Sequence, residues 1–212
     1  MTSFTQVKPS TLRQVLSAVA APDTDLPDWP QVEAALTVRA LAPGEVVFRQ
    51  DALLGDLLVV RAGVVRLGYL QPDGTEWIKA FIAEGGVFGS LAALVPGGRT
   101  PYMATAMTAA EVERVPFALL DALGRRHTVW AGVLLRMALV YAARKERRER
   151  ELLTMTAAER YAALQANPPP WWGRVPQQDL ARHLGVTPVG LSRIIGRLRR
   201  DAALKLKSPA PD

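Results

Sequence analysis

The hydrophobic positions of this chain change their period twice. Residues 9–20 read as a short helix, PDTDLPDWP at 22–30 is polar and proline-marked, and QVEAAL at 31–36 adds a helical turn. From about residue 37 to residue 115 short apolar or alternating runs take over: VVF (46–48), LLVV (57–60), VVRLGYL (64–70), EWIKAFI (76–82), MATAM (103–107) and EVERV (111–115). Turn signals separate them, at Pro43-Gly44, Ala62-Gly63, Pro72-Asp73-Gly74, Gly85-Gly86 and Pro96-Gly97-Gly98. Short strands spaced this way predict an antiparallel barrel or sandwich. PDGT between two strand runs is a hairpin signal, with Gly74 available for positive φ.

Helical periodicity then returns. Pro116 opens a helix over 116–127, with Gly124 ending its apolar part. The longest helical pattern runs from Thr128 to about Leu153. Trp130, Leu134, Met137 and Tyr141 recur in it at spacings of 4, 3 and 4, a heptad-like seam. Its first half is apolar on nearly all sides and its second half, ARKERRERE, is charged. Such a helix must bury more than one face, which predicts a homodimer paired along it. Thr154 to Thr156 reads as a hinge, and Thr156 with Glu159 has the spacing of a capping box opening a helix at 157–166. Asn167 and three prolines end that helix. Trp171 and Trp172 then read as core anchors of a small C-terminal domain.

The segment 177–198, QQDLARHLGVTPVGLSRIIGRL, satisfies the physical demands of a helix-turn-helix. Ala181 is small where the second helix crosses the first. Gly185, four residues on, suits a turn at positive φ. Leu180, Leu184, Val186, Leu191 and Ile194 supply the apolar positions, and Leu198 extends them. Thr187 caps the second helix, with Pro188 as its first residue. In such a motif the second helix enters the major groove of double-stranded DNA. Its outward face shows Val189, Gly190, Ser192 and Arg193. Arg193 is the candidate base reader, because a guanidinium pairs bidentately with guanine. Thr187 and Arg197 suit phosphate, with Arg199 and Arg200 adding general attraction. His183 reads as a phosphate contact or a solvated residue.

Charge agrees with that placement. Of the 212 residues, 26 are Lys or Arg and 20 Asp or Glu, for a net +6. Residues 144–212 alone are net +7 and residues 1–143 net −1, so a polyanion partner is expected at the C-terminal third. The sequence has no cysteine and only two histidines, His127 and His183. Disulfides, thiolate metal sites and iron–sulfur clusters are excluded, and a metal site is not expected. No Ser/His/Asp grouping, P-loop or dinucleotide fingerprint points to an enzyme. MTSFTQVKPS at the N-terminus does not read as a signal peptide and no run spans a bilayer, so a cytoplasmic chain without a membrane partner is expected.

A β-roll, a long helix and a C-terminal helix-turn-helix in this order resemble the Crp/Fnr family of bacterial transcription regulators. The likeness covers roughly residues 37–200. TPVGLSRIIGRL (187–198) looks like its recognition helix, TAAERYAAL (156–164) like the helix after its dimer helix, and residues 55–89 like its cyclic-nucleotide-binding-type β-roll. The resemblance implies an α+β chain: an N-terminal helical arm (1–36), an antiparallel, jelly-roll-like β-roll of effector-binding type (37–127), a dimerisation helix and hinge (128–154), and a winged-helix-like DNA-binding domain (155–212). It implies homodimers on two-fold symmetric promoter sites, contact with RNA polymerase, and control by a small effector.

Cyclic-nucleotide binders of the family use a Gly-Glu pair and, about ten residues on, an Arg-Ser pair. Here Gly89 is followed by Ser90 and Leu91, and Arg99-Thr100 stands for the second pair. These five residues are the candidate effector contacts. Cyclic nucleotide is one candidate ligand, and a different effector or none is the alternative. Arg144, Lys145 and Glu146 occupy the level where small hydroxyl residues would meet a purine. DAALKLKSPAPD (201–212) is too short for a full wing, with ALKLK as a residual strand. A cyclic-nucleotide-binding regulatory protein, or an architectural DNA binder without effector, are the rival readings.

Overall fold

The computed structural model describes residues 10–20 and 24–207, with side chains to residue 201. Two helices, α1 (Thr11–Val19) and α2 (Trp29–Ala35), precede eight strands. These are β1 (Thr37–Leu41), β2 (Val46–Phe48), β3 (Asp56–Ala62), β4 (Val65–Leu70), β5 (Glu76–Ile82), β6 (Val87–Phe88), β7 (Met103–Ala106) and β8 (Ala110–Pro116), with the short α3 (Leu91–Leu94) between β6 and β7. Helices α4 (Phe117–Arg126), α5 (Thr128–Thr154), α6 (Ala157–Ala166), α7 (Gln177–Leu184) and α8 (Pro188–Lys207) follow.

The strands form two four-stranded antiparallel sheets, in the orders β1-β8-β3-β6 and β2-β7-β4-β5. Alternation along each strand sends one set of side chains between the sheets. Leu58, Val60, Val65, Leu67, Ala104 and Val112 are all buried there. The β4–β5 hairpin closes through Gln71 N–H to the Thr75 carbonyl at 2.8 Å, with Gly74 at φ +83°. Each sheet also has a covered outer face. The first carries Val59 and Val115 against α1, α2, α4 and α5, where Trp29 stacks on Trp130 at 6.4 Å. The second carries Val64, Ile78 and Phe81 against the C-terminal helices.

The arm is fixed by a buried charge. Glu113 on β8 is 1% exposed, and its carboxylate accepts from Thr11 N–H (2.8 Å), Leu12 N–H (2.7 Å) and the Ser10 hydroxyl (2.9 Å). An anion at the first turn of α1 takes orphan amides and suits the helix dipole. Nothing in the local pattern of EVERV marks it, because the partner amides lie about a hundred residues away.

Four expectations need correction. Pro116 caps α4 from outside and is not its first residue. Gly124 lies inside α4, where the apolar part gives way to Arg125 and Arg126; a Cβ there would come 3.2 Å from Leu134 Cδ1, so the glycine also lets α4 and α5 approach. ALKLK is helical, since α8 runs unbroken to Lys207, so these residues make no wing strand. The seam of Trp130, Leu134 and Met137 packs on the chain's own core, while the large apolar side chains exposed in the first half of α5 are Leu135 (61%), Leu139 (59%) and Val140 (45%). His183 is buried, as described next.

Candidate nucleic-acid interface and effector cavities

The helix-turn-helix forms as its residues require. Gly185 ends α7 in the left-handed region at φ +72°, and Val186 N–H closes back on the Ala181 carbonyl at 3.0 Å. Ala181 is fully buried, as are Leu184 and Leu191. Ile195, rather than Ile194, packs with Val186 and Leu198 on this core. The Thr187 hydroxyl accepts from Gly190 N–H at 3.1 Å, and Pro188 is the first helical residue. A Cβ on Gly190 would meet Thr187 Oγ1 at 3.2 Å, so Gly190 sits against the cap and is half-buried. Thr187, Val189, Ser192, Arg193 and Arg197 are exposed on the opposite side, with Val189 at 62%. Ser192 accepts from Gln177 Nε2 at 3.1 Å. The first turns of α8 therefore bury one aliphatic stripe and offer an exposed basic and hydroxyl face.

Sequence reasoning missed what holds this head in place. Arg160 on α6 donates to the Glu151 carbonyl (3.1 Å) and the Met155 carbonyl at the end of α5, and to the Leu184 carbonyl (2.8 Å) at the end of α7. A guanidinium at two helix C-termini satisfies orphan carbonyls and complements both dipoles, so it links the hinge to the turn. The head also packs on β5. Trp171 lies on Phe81 at 4.9 Å and on His183 at 5.7 Å. His183 Nδ1 is 3.2 Å from the Ile78 carbonyl, and Arg148 donates to the His183 carbonyl. Burial, with the Arg148 charge behind it, pushes the His183 pKa down to about 3, so the ring is neutral and its Nδ1–H donates to Ile78. Around it Arg66 lies 3.2 Å from Glu76 and 3.5 Å from Asp179, and Arg182 bridges the same two carboxylates at 3.6 and 3.2 Å. Arg174 forks onto Glu84 at 2.7 and 2.8 Å, holding that carboxyl down at about 2. Trp171 thus anchors the head to the β-roll as well as to its own core. The reason none of this was legible is that His183, Arg148 and Ile78 are far apart in sequence.

The candidate effector residues divide. Gly89, Ser90 and Leu91 line a cavity of about 230 Å³ bounded by α1, β3, α3 and α5. Ser90 is 2% exposed and its hydroxyl has no hydrogen-bond partner. Arg99 is exposed and donates to the Asp51 carbonyl at 2.7 Å, while fully buried Thr100 donates to the Arg49 carbonyl at 2.8 Å. Both side chains tie down the loop after β2, and neither lines this cavity or the larger one described next. The second cavity, about 610 Å³, lies between β4, β5, α5 and α7 and has Lys79, Arg144 and Lys145 on its walls.

Comparison with known proteins extends this geometry. The family model of the cyclic nucleotide-binding domain matches residues 38–127. The fumarate and nitrate reduction regulatory protein of Escherichia coli is 22% identical over 180 residues, covering 80% of this chain and 71% of its own. Among solved structures, FixK2 from Bradyrhizobium japonicum aligns with a TM-score of 0.67 at 23% identity, covering 79% of this chain and 86% of its own. CLP of Xanthomonas campestris, described as a c-di-GMP responsive global regulator, aligns with a TM-score of 0.64 at 18% identity, over 82% and 93%. No helix among the described residues is long and apolar enough to cross a membrane. Residues 38–127 thus form a cyclic nucleotide-binding-type β-roll, and with the long helix and C-terminal helix-turn-helix that follow it the chain shares the fold of FixK2 and CLP and resembles the Crp/Fnr regulators.

Proposed function

We propose that this chain is a sequence-specific DNA-binding transcription regulator that binds two-fold symmetric promoter sites as a homodimer. The observation that carries this reading is the outward face of α8, where Thr187, Val189, Ser192, Arg193 and Arg197 are exposed while Leu191 beneath them is fully buried. A helix presented N-terminus first with these side chains fits a major groove. Arg193 reads a guanine, Ser192 and Val189 contact neighbouring edges, and Thr187 and Arg197 meet phosphates. RNA polymerase is the expected protein partner, the cytoplasm the expected compartment, and the chemistry is recognition rather than catalysis.

Dimerisation uses α5, through Leu135, Leu139 and Ala142 at spacings of 4 and 3, all exposed in the single chain. Paired this way, two α8 helices meet successive major grooves about 34 Å apart. An effector in the β-roll acts by shifting α5 and the hinge at Met155, which changes that spacing.

Arg193→Ala tests the reading. Its side chain is exposed and outside the core, so folding is preserved. Binding to a preferred site is expected to weaken by about 1–3 kcal/mol, with preference relaxed at one base per half-site. Competition binding with all four bases at each position measures this, and an unchanged base preference would remove the role assigned to Arg193.

A further inference from the structure

The outward face of α8 carries one residue that the fold does not explain. Val189 is 62% exposed, and among the described residues from 155 to 201 it is the one large hydrophobic side chain that lies open to solvent. It stands in the first turn of α8, between Pro188 and Gly190. Valine does little for the helix there. Its branched Cβ loses rotamer freedom in a helix, and the positive end of the dipole favours Asp or Glu in that turn. The first turn of α8 holds no acidic residue. The core does not claim Val189 either, since Leu191, Ile195 and Leu198 form the stripe that packs with Leu180, Ala181 and Leu184 of α7.

The chemistry of the whole face narrows what Val189 can touch. From Val186 to Arg200 the sequence VTPVGLSRIIGRLRR has no Asp, Glu, Asn or Gln. The exposed side chains presented around Val189 are Thr187, Ser192, Arg193 and Arg197. Each hydroxyl already accepts a hydrogen bond from the chain, Thr187 from Gly190 N–H and Ser192 from Gln177 Nε2, which favours the O–H donor role toward DNA. Such a face has no carboxylate or amide oxygen for the amino groups of cytosine and adenine. The major-groove features left to it are the acceptors of guanine and the O4 and C5-methyl of thymine. Only the methyl suits a valine. Arg193 lies four residues on, on the same side of the helix. The rise between the two is about 6 Å, against about 3.4 Å per base pair, so they address bases one or two pairs apart.

We infer that Val189 is a specificity residue that reads the C5-methyl group of a pyrimidine, one or two base pairs from the guanine taken by Arg193. The inference rests on the DNA-binding reading above and names part of the sequence it recognises: each half-site holds a guanine and, beside it, a C5-methylated pyrimidine. The contact takes the valine methyls and the base methyl out of water together and uses no hydrogen bond. It therefore treats thymine and 5-methylcytosine alike, because both carry the methyl at the same ring position, and it rejects unmodified cytosine. A site with cytosine at this position gains affinity when that cytosine is methylated.

Selection by the full chain from four libraries of randomised duplexes tests this without altering the protein. The first holds ordinary bases, the second deoxyuridine in place of thymidine, the third 5-methyldeoxycytidine in place of deoxycytidine, and the fourth both replacements. Ordinary DNA should yield thymine at one position per half-site, near the Arg193 guanine. With uracil, preference at that position alone should fall, by about fourfold for each methyl lost. In the third library 5-methylcytosine should join thymine there, and in the fourth it should take the position. Val189→Ser, exposed and outside the core, should give the uracil result on ordinary DNA and keep the guanine. Arg193→Ala should lose the guanine and keep the methyl preference. A uracil motif as sharp at that position as the thymine motif, or an unchanged motif from Val189→Ser, would overturn this inference and leave the regulatory reading standing. No motif from any library would overturn both.

Discussion

Replacing Leu139 with aspartate is expected to return the protein to single chains and to abolish tight operator binding. Leu135 and Leu139 are 61% and 59% exposed on α5, although the same helix buries Trp130 and Val133 completely. Burying one leucine contributes about 1.5–3 kcal/mol, and a two-fold interface loses it twice. Leu139→Asp therefore removes about 3–6 kcal/mol and adds a charge to an apolar seam. That raises the dimer dissociation constant by roughly 100-fold to 10,000-fold at about 1.4 kcal/mol per decade. Sedimentation velocity measures the change directly. The substitution is far from α8, so a monomer with loss of binding to full sites and retained weak half-site binding is the expected pattern. Persistence of the dimer would move the interface off this face.

The second large effect is on the docking of the head. Trp171→Ala empties the contact among Phe81, His183 and Trp172, a loss of about 3–5 kcal/mol for a buried tryptophan. Acid should weaken the same contact by a different route. His183 has its pKa depressed to about 3 from an ordinary 6.5, so the docked state excludes a proton that the undocked state accepts. The stabilisation is complete above about pH 6.5 and is lost as pH falls towards 3, at about 1.4 kcal/mol per unit. Arg148 from α5 and Arg160 from α6 face the ring and both oppose its protonation. Glu84, held near 2 by Arg174, begins to contribute only below its ordinary value of 4.5. The window from pH 6.5 to 4.5 therefore isolates His183. Urea midpoints across that window should fall for the native chain and fall less for His183→Gln, which keeps a donor for the Ile78 carbonyl without titrating. Equal slopes for the two proteins would show that the buried imidazole does not govern docking.

The elements were legible wherever a single segment carries its own signal. EWIKAFI reads directly as β5, TAAERYAALQA shows its capping box, and the turn at Gly185 needs only a glycine between two apolar runs. Strand β6, two residues long, and the four-residue α3 offer too little pattern to announce themselves. The heptad at Trp130, Leu134 and Met137 was real periodicity, but period alone does not say which surface a helix faces. Here α4 and the outer sheet face claim that stripe, leaving Leu135 and Leu139 free. His183, Arg160 and Glu113 escaped because each depends on carbonyls, carboxylates or amides supplied from distant segments.

The most direct test of the central claim is selection of randomised DNA by the purified protein at fixed moderate salt, with and without cyclic AMP. The account predicts enrichment of a two-fold symmetric motif with half-sites about one helical turn apart, recovered with or without cyclic AMP, because Arg99 and Thr100 are bound to backbone carbonyls. Retention that shows no motif in either condition and vanishes as salt rises would be backbone attraction alone, and would contradict the claim that α8 reads sequence.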